Sequence, residues 1–407
     1  MNRVVVTGMN GLCSLGQDWT SIYNAFKNKK SGVRRMHEWQ TYEGLNSRIA
    51  SAIDDFVLPE HYDRKKIRTM GRVSLLATVA TERALIQAGL LGSDILKSGQ
   101  TGVAYGSSSG STPAIEHFAG MRIYKTIKGL TPVSYTQMMS HTCVANLELF
   151  FGIKGRLIPS SSACVSGSLG IGYAYESIKH GYQTVMIAGG GEELCPTQVA
   201  VFDIMFAAST KNDTPTLTPR PFDKNRDGLV VGEGACTLIL EERSHALARG
   251  AHIYAEIIGF GTNSDGLHMT SPSPQGMQTA MHLALQDAGL SAQDMGYVNA
   301  HATATERGDI AESEATYAVF KHQVPVSSLK GYMGHTLGAS GALESWLSIE
   351  MMNHNYFAPT LNLEQIDERC APLDYIMHDG RILNTEFVMN NNFAFGGMNT
   401  SLIFKRV

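Results

Sequence analysis

No apolar run in the 407-residue chain approaches the roughly 18 residues a membrane-spanning helix needs, so no such span is expected. Cysteine pairs are missing too. Cys13, Cys143, Cys164, Cys195, Cys236 and Cys370 lie far apart, with no C-x-x-C and no zinc spacing, which argues against a redox dithiol, a structural metal or a disulfide framework. They suit the reduced thiols of a cytoplasmic protein. Charge of one sign is not in excess: a net charge of −4 and an isoelectric point near 6.4 give no global signal for nucleic acid or an anionic membrane, so a basic partner site must be local. The first residues run directly into Val4, Val5 and Val6 without a charged segment and apolar h-region, as expected of a soluble intracellular chain. The length allows one large domain or two of ordinary size, either with an ample core.

What is present is organised around one stretch, residues 159–172, where a run of serine, alanine and glycine delivers Cys164 to the start of a helix over 165–180. Leu169, Tyr173, Tyr175 and Ile178 are its larger inward side chains, and Lys179-His180-Gly181 is its stop. The helix start is expected to favour a thiolate at Cys164, and the small neighbours leave room for a reactant. A buried structural cysteine is the alternative for any lone thiol.

The rest of the chain alternates strands and helices. A buried strand over 3–9 is expected to lead into a glycine-rich loop holding Gly8 and Gly11, a weak dinucleotide signal without its third glycine or its acidic partner. Trp19–Lys27 reads as a helix, and a basic segment (Arg64, Lys65, Lys66, Arg68, Arg72) fronts a long helix ending at Ala88. A strand over 101–105 meets the loop Gly106–Gly110, whose G-x-S-x-G pattern offers Ser108 as a serine-hydrolase nucleophile, although an elbow needs a helix at once and Ser111-Thr112-Pro113 follows. Buried strands are expected at 183–188, near Val230, and at 235–241, 255–259 and 296–300. Residues 83–90 resemble 283–290, and 166–169 resemble 340–343, so two similar halves, 1–250 and 251–407, are expected to form an α/β/α/β/α layered structure with mostly parallel sheets. His301 and His335 each follow a buried strand, where ligands of α/β sheets bind.

Together, Ser-Ala-Cys164 before a glycine-rich helix, Asn-Ala-His301 with Thr303 and Thr305, Lys330 followed by His335, and Phe393-x-Phe395-Gly396-Gly397 resemble the β-ketoacyl-acyl-carrier-protein synthases of the thiolase fold over essentially the whole chain. The similarity is greatest to the elongating type I/II enzymes and the type II polyketide ketosynthases. This resemblance implies a decarboxylative Claisen condensation. Cys164 would accept an acyl group from a carrier protein, His301 and His335 would stabilise the enolate of the malonyl unit, and Lys330 with Glu344 would stand behind them. Backbone N–H groups of Cys164 and Phe395 would form the oxyanion hole, with Phe393, Phe395, Gly396 and Gly397 as a gate. Thr303, Thr305, Asp265 and His268 would meet the phosphopantetheine arm or substrate, and Ser109 would widen the acyl channel. Arg64, Lys65, Lys66 and Arg68, with Lys125 and Lys128, would dock the acidic carrier protein.

No metal or dissociable cofactor is implied, although Asn299 and Asn391 resemble positions near a structural cation in relatives. A homodimer, or a heterodimer with a related ketosynthase-like subunit, is expected; a non-catalytic chain-length-factor-type partner is the alternative, of a kind that typically lacks the cysteine. Ala302, Ala304, Glu306-Arg307, Ala394 and Met398 depart from the usual pattern. They turn the expectation towards a specialised pathway of polyene or polyketide type and a gate that moves differently.

Overall fold

The structure is a computed structural model that describes residues 1–321 and 324–407. Ten residues of strand β1 (Val4–Cys13) pass straight through the expected glycine-rich loop. A side chain at Gly8 would strike the Ala84 carbonyl and one at Gly11 the Trp346 ring, so both glycines serve close packing and the dinucleotide loop does not exist. Along the chain follow β2 (Thr101–Gly106), β3 (Leu157–Pro159), β4 (Val185–Glu192) and β5 (Gly234–Glu242), then β6 (Ala255–Ser264), β7 (Tyr297–Asn299), β8 (Pro325–Ser327), β9 (Asp374–Tyr375), β10 (Phe387–Ala394) and β11 (Met398–Lys405). They form one sheet in the order β9-β8-β7-β10-β11-β6-β1-β5-β4-β2-β3. Near Val230 only isolated bridges occur, among them Val231 to His335.

The echo between the halves is a topological repeat: β3-β2-β4-β5-β1 and β8-β7-β10-β11-β6 are the same order of strands, joined where Val4–Val6 pairs with Ala255–Ile257. Pairing is mixed rather than mostly parallel. Crossover connections leave β2 parallel to β3 and β4, and β7 parallel to β8 and β10; the direct β10–β11 return and the β1–β5 and β1–β6 contacts are antiparallel.

Helices α1 (Arg72–Gln87) and α2 (Thr142–Phe151) cover the first half-sheet, while α3 (Ser166–Lys179) packs between the half-sheets. Helix α4 (Pro196–Asp203) follows on the chain; α5 (Pro274–Ala288) and α6 (Glu306–Phe320) cover the second half-sheet, and α7 (Ser340–Asn353) lies against α3 in the middle layer. Five layers, α/β/α/β/α, result. The main apolar core fills the middle layer around Ile171, Ala174, Leu343, Trp346 and Leu347. The expected long helix from Arg64 is broken into a short turn, Arg64–Ile67, and α1, because Gly71 takes an extended cap position and Glu193 accepts the Val73 N–H at 3.0 Å. None of the helices is long and apolar enough to cross a membrane among the described residues.

Candidate active site

Cys164 stands on a tight turn before α3, two residues ahead of its first turn. Ala163 holds a left-handed φ of +48°, and Ser166 braces the turn by accepting the Ser162 N–H at 2.8 Å and donating its hydroxyl to Ala163 O at 2.7 Å. His301 sits beyond the end of β7, its N–H and that of Ala302 donating to Glu312 of α6 at 2.7 and 2.6 Å. His335 is pinned by its backbone to Val230 and Gly232, at 2.7 and 2.9 Å. These three anchors converge: the Cys164 sulfur and one ring nitrogen of each histidine all lie within 4.8 Å of one another. The imidazole rings stand 5.1 Å apart and nearly perpendicular, with Phe393 6.2 Å from His301.

Behind the histidines the fully buried Lys330 donates to Glu344 at 2.5 Å, and Asn392 donates to the other Glu344 oxygen at 2.7 Å. Burial, then the Lys330 charge, holds both imidazoles well below the ordinary histidine range, so both are neutral at pH 7. Nδ1 of His301 and both ring nitrogens of His335 are buried and have no hydrogen-bond partner among the described residues. Cys164 departs from expectation. Burial pushes its thiol up to about 12, against Lys330 and the backbone N–H groups of Cys164 and Phe395 that hold it down, so the resting group is a thiol and not a thiolate. A cysteine with two imidazoles is also a donor set for a thiophilic cation.

The three side chains line a cavity of about 790 Å³ whose walls include Thr303, Thr305, Asp265, Phe393 and Phe395. Thr303 and Thr305 face each other at 3.0 Å around Ala304, itself left-handed at φ +68°. Phe395 packs on Phe202 at 5.5 Å between ring centres. Its loop is clasped by Asp265, which donates its N–H to Gly397 O at 2.8 Å and accepts from the Asn399 amide at 2.7 Å. The positive φ values of this loop fall on Gly396 and Gly397 and not on Ala394, so alanine imposes no backbone strain there.

Other expected residues lie elsewhere. His268 is exposed and caps its own loop through Nδ1, accepting from Thr270 and Ser271, so it is not brought to the cavity. Ser109 does not line the cavity either: Glu192 holds the Ser107–Ser108 turn and leaves Ser109 beside the Ser108 hydroxyl at 3.2 Å. Ser108 has no imidazole partner among the described residues, and the next helix begins only at Pro113, which removes the hydrolase reading. Asn299 donates to Asn390 whereas Asn391 accepts from Ser401; β10 alternates its side chains, so Asn299 and Asn391 do not share a site. Arg64, Lys65, Lys66, Arg68, Lys125 and Lys128 are exposed, but Arg72 is spent on Glu233 at 2.8 Å.

Glu312 and Glu192 were not anticipated. The first is pushed up to about 8 and the second to about 7, each by burial working against backbone N–H donors. Only the Asp309/Glu312 spacing on one face of α6 hints at the former.

A five-layered fold with a buried cysteine and two neutral histidines defines a thiolase-like condensing enzyme. The β-ketoacyl synthase N-terminal domain matches residues 1–246 and the β-ketoacyl synthase C-terminal domain residues 254–364, and the chain belongs to the β-ketoacyl synthase family. A 3-oxoacyl-[acyl-carrier-protein] synthase 1 of Escherichia coli is 36% identical over 414 residues, covering 100% of both chains. A crystal structure of a β-ketoacyl synthase from Burkholderia phymatum superposes with a TM-score of 0.99 at 56% identity, with full coverage of both chains. A ketosynthase from Xenorhabdus doucetiae, solved in complex with its chain length factor, has a TM-score of 0.83 at 25% identity over 100% of this chain and 98% of that one.

Proposed function

We propose that this chain is a β-ketoacyl-carrier-protein synthase that joins an acyl group held on Cys164 to the two-carbon unit left when a malonyl thioester loses CO₂. The observation that carries the reading is the convergence of Cys164, His301 and His335 within 4.8 Å on one cavity, with Lys330 and Glu344 behind them. In the first step the Cys164 sulfur bonds to the acyl carbon, the carrier C–S bond breaks, and the thiol proton ends on the departing pantetheine thiolate. Exchange between two thiols needs no lasting thiolate, which suits a cysteine whose resting pKa is raised. In the second step the malonyl C–CO₂ bond breaks, and the N–H groups of neutral His301 and His335 stabilise the enolate oxygen. Its carbon attacks the acyl carbon, the bond from that carbon to the Cys164 sulfur breaks, and the departing thiolate takes a proton from water to restore the resting thiol.

Backbone N–H groups of Cys164 and Phe395, both near the sulfur, would hold the oxyanion, while Thr303 and Thr305 would meet the pantetheine arm. The two halves, 1–250 and 251–407, would each supply part of the machinery. Substrates arrive on acyl carrier protein in the cytoplasm without a separate cofactor, for fatty-acid-like, polyene or polyketide assembly. A second ketosynthase-like chain, identical or related, would complete a dimer; the exposed edge strand β3 favours such pairing.

The test is intact-protein mass after incubation with an acyl-carrier protein, followed by malonyl-carrier protein. Wild type should gain and then release the acyl mass, and Cys164→Ala should gain none. His335→Ala should keep acyl transfer and lose decarboxylation. Acylation of the Cys164→Ala protein at wild-type rate would overturn the reading.

A further inference from the structure

Helix α4 ends in a Schellman turn, with the Phe206 N–H donating to Asp203 O at 3.0 Å and the Ala207 N–H donating to Phe202 O at 2.9 Å. The residue donating the inner bond of that turn takes the left-handed seat, which glycine usually fills because a Cβ is penalised there. Here the seat holds a phenylalanine at φ +55°. Its ring regains nothing by packing: Phe206 is 93% exposed, and its side chain makes no ring contact or hydrogen bond among the described residues. Backbone preference and apolar burial both disfavour this residue at this position.

Phe206 nonetheless forms part of the wall of the cavity that ends on Cys164. Ile204, 75% exposed on the same turn, does not line that cavity, whereas the 68% exposed Met269 of the Asp265 loop does. A reactant bound for Cys164 therefore passes the exposed apolar side chains of Phe206 and Met269, which share the mouth with the charged Glu306, Arg307 and Arg369, before it reaches the buried Thr303. The pantetheine arm has that order of chemistry: an apolar gem-dimethyl carbon far from the sulfur and amides nearer to it.

We propose that Phe206 is a substrate-positioning residue whose ring packs on the gem-dimethyl segment of the phosphopantetheine arm and sets affinity for pantetheinylated substrates. The inference rests on Cys164 being the acyl acceptor. Contact between ring and arm removes apolar surface of both from water, which the free protein leaves exposed. Phe206 touches no reacting atom.

The experiment compares one acyl group on three donors: carrier protein, free pantetheine, and N-acetylcysteamine, which lacks the gem-dimethyl segment. Acyl transfer to Cys164 is followed for wild type, Phe206→Gly, Phe206→Asn and Phe206→Tyr. Removing the ring should raise KM roughly tenfold for the first two donors and leave kcat and the N-acetylcysteamine reaction within about twofold. Phe206→Tyr should behave as wild type. Phe206→Gly should melt at or above the wild-type Tm, since it relieves the backbone and deletes no packing. A loss confined to the carrier-bound donor would mean that the ring touches the carrier protein's surface, and an equal loss with all donors, no loss at all, or a lowered Tm would each overturn the proposal. Should wild type fail to acylate with any donor, the reading of Cys164 falls. Binding of pantetheine itself to wild type and Phe206→Asn, measured by saturation-transfer NMR, then still decides the role of the ring.

Discussion

At Cys164 two effects oppose each other. A helix start favours an anion by about 0.3–1 kcal/mol, up to about 2 kcal/mol in partly buried geometries. Burial, opposed by Lys330 and two N–H groups, still leaves the thiol at about 12 instead of 9, a difference of about 4 kcal/mol. Burial wins, and the protein keeps a protonated cysteine among neutral imidazoles. The measurable consequence is the pH dependence of alkylation. Iodoacetamide labelling of Cys164, read on its own peptide, should rise about tenfold per pH unit from 7 to 10 without levelling, because only the growing thiolate fraction reacts. A plateau near neutral pH would show a pre-formed thiolate and refute this balance. His301 and His335, held low by the same burial, carry no charge in this range and add no step to the curve.

Among the elements, the turn Arg64–Ile67 joins a basic sequence signal to exposure. Arg64, Lys65, Lys66 and Arg68 are exposed there and form no ion pair among the described residues, while Arg72 is held by Glu233. As a carrier-protein docking face it should act through encounter: the Lys65→Glu/Arg68→Glu variant should raise KM for carrier-bound substrate roughly tenfold at low salt, an effect that fades at high ionic strength. Small thioesters should react unchanged. Equal loss with both donors would reduce the turn to a solvated surface. How far such elements were legible depends on the range of the forces that make them. The helix that follows Cys164 ends at Lys179 as its His-Gly stop predicts; His335 lies beyond the short helical turn Lys330–Met333 that follows β8, whereas Cys164 and His301 were readable as a helix-start and a strand-end residue. The path of β1 through Gly8 and Gly11 was not, since glycine marks a loop and a close crossing alike and only Ala84 and Trp346, distant in sequence, decide between them. The break before α1 depends in the same way on Glu193 from β4's end, and Glu312 on a turn of chain that folds back onto it. Left-handed Phe206 carried no sequence mark because its seat is set by the hydrogen bonds of α4.

For the whole molecule the repeat of strand order means that two half-sheets meet around α3 and α7, and the site draws Cys164 from one and His301, Lys330 and His335 from the other. Lys330 and Glu344 lie in that middle layer with neither side chain exposed. Two opposite charges there gain little net stability over apolar residues of like volume, because desolvation consumes most of their attraction; removing one partner, however, strands the other and costs about 3–5 kcal/mol. Lys330→Met should therefore lower Tm sharply. Lys330→Met/Glu344→Gln should recover most of it, with the glutamine oxygen still accepting from Asn392. The recovered fold isolates the electrostatic role. Lys330 lowers the pKa of both His301 and His335, so without it both should move up towards the ordinary histidine value. A neutral imidazole is then lost at higher pH as the solution is acidified, and the acid limb of malonyl decarboxylation should shift upward in the double variant. Decarboxylation against pH, measured beside the melting curve, checks this. If the folded double variant keeps the wild-type acid limb, Lys330 holds the layers together and does not set the protonation of the histidines.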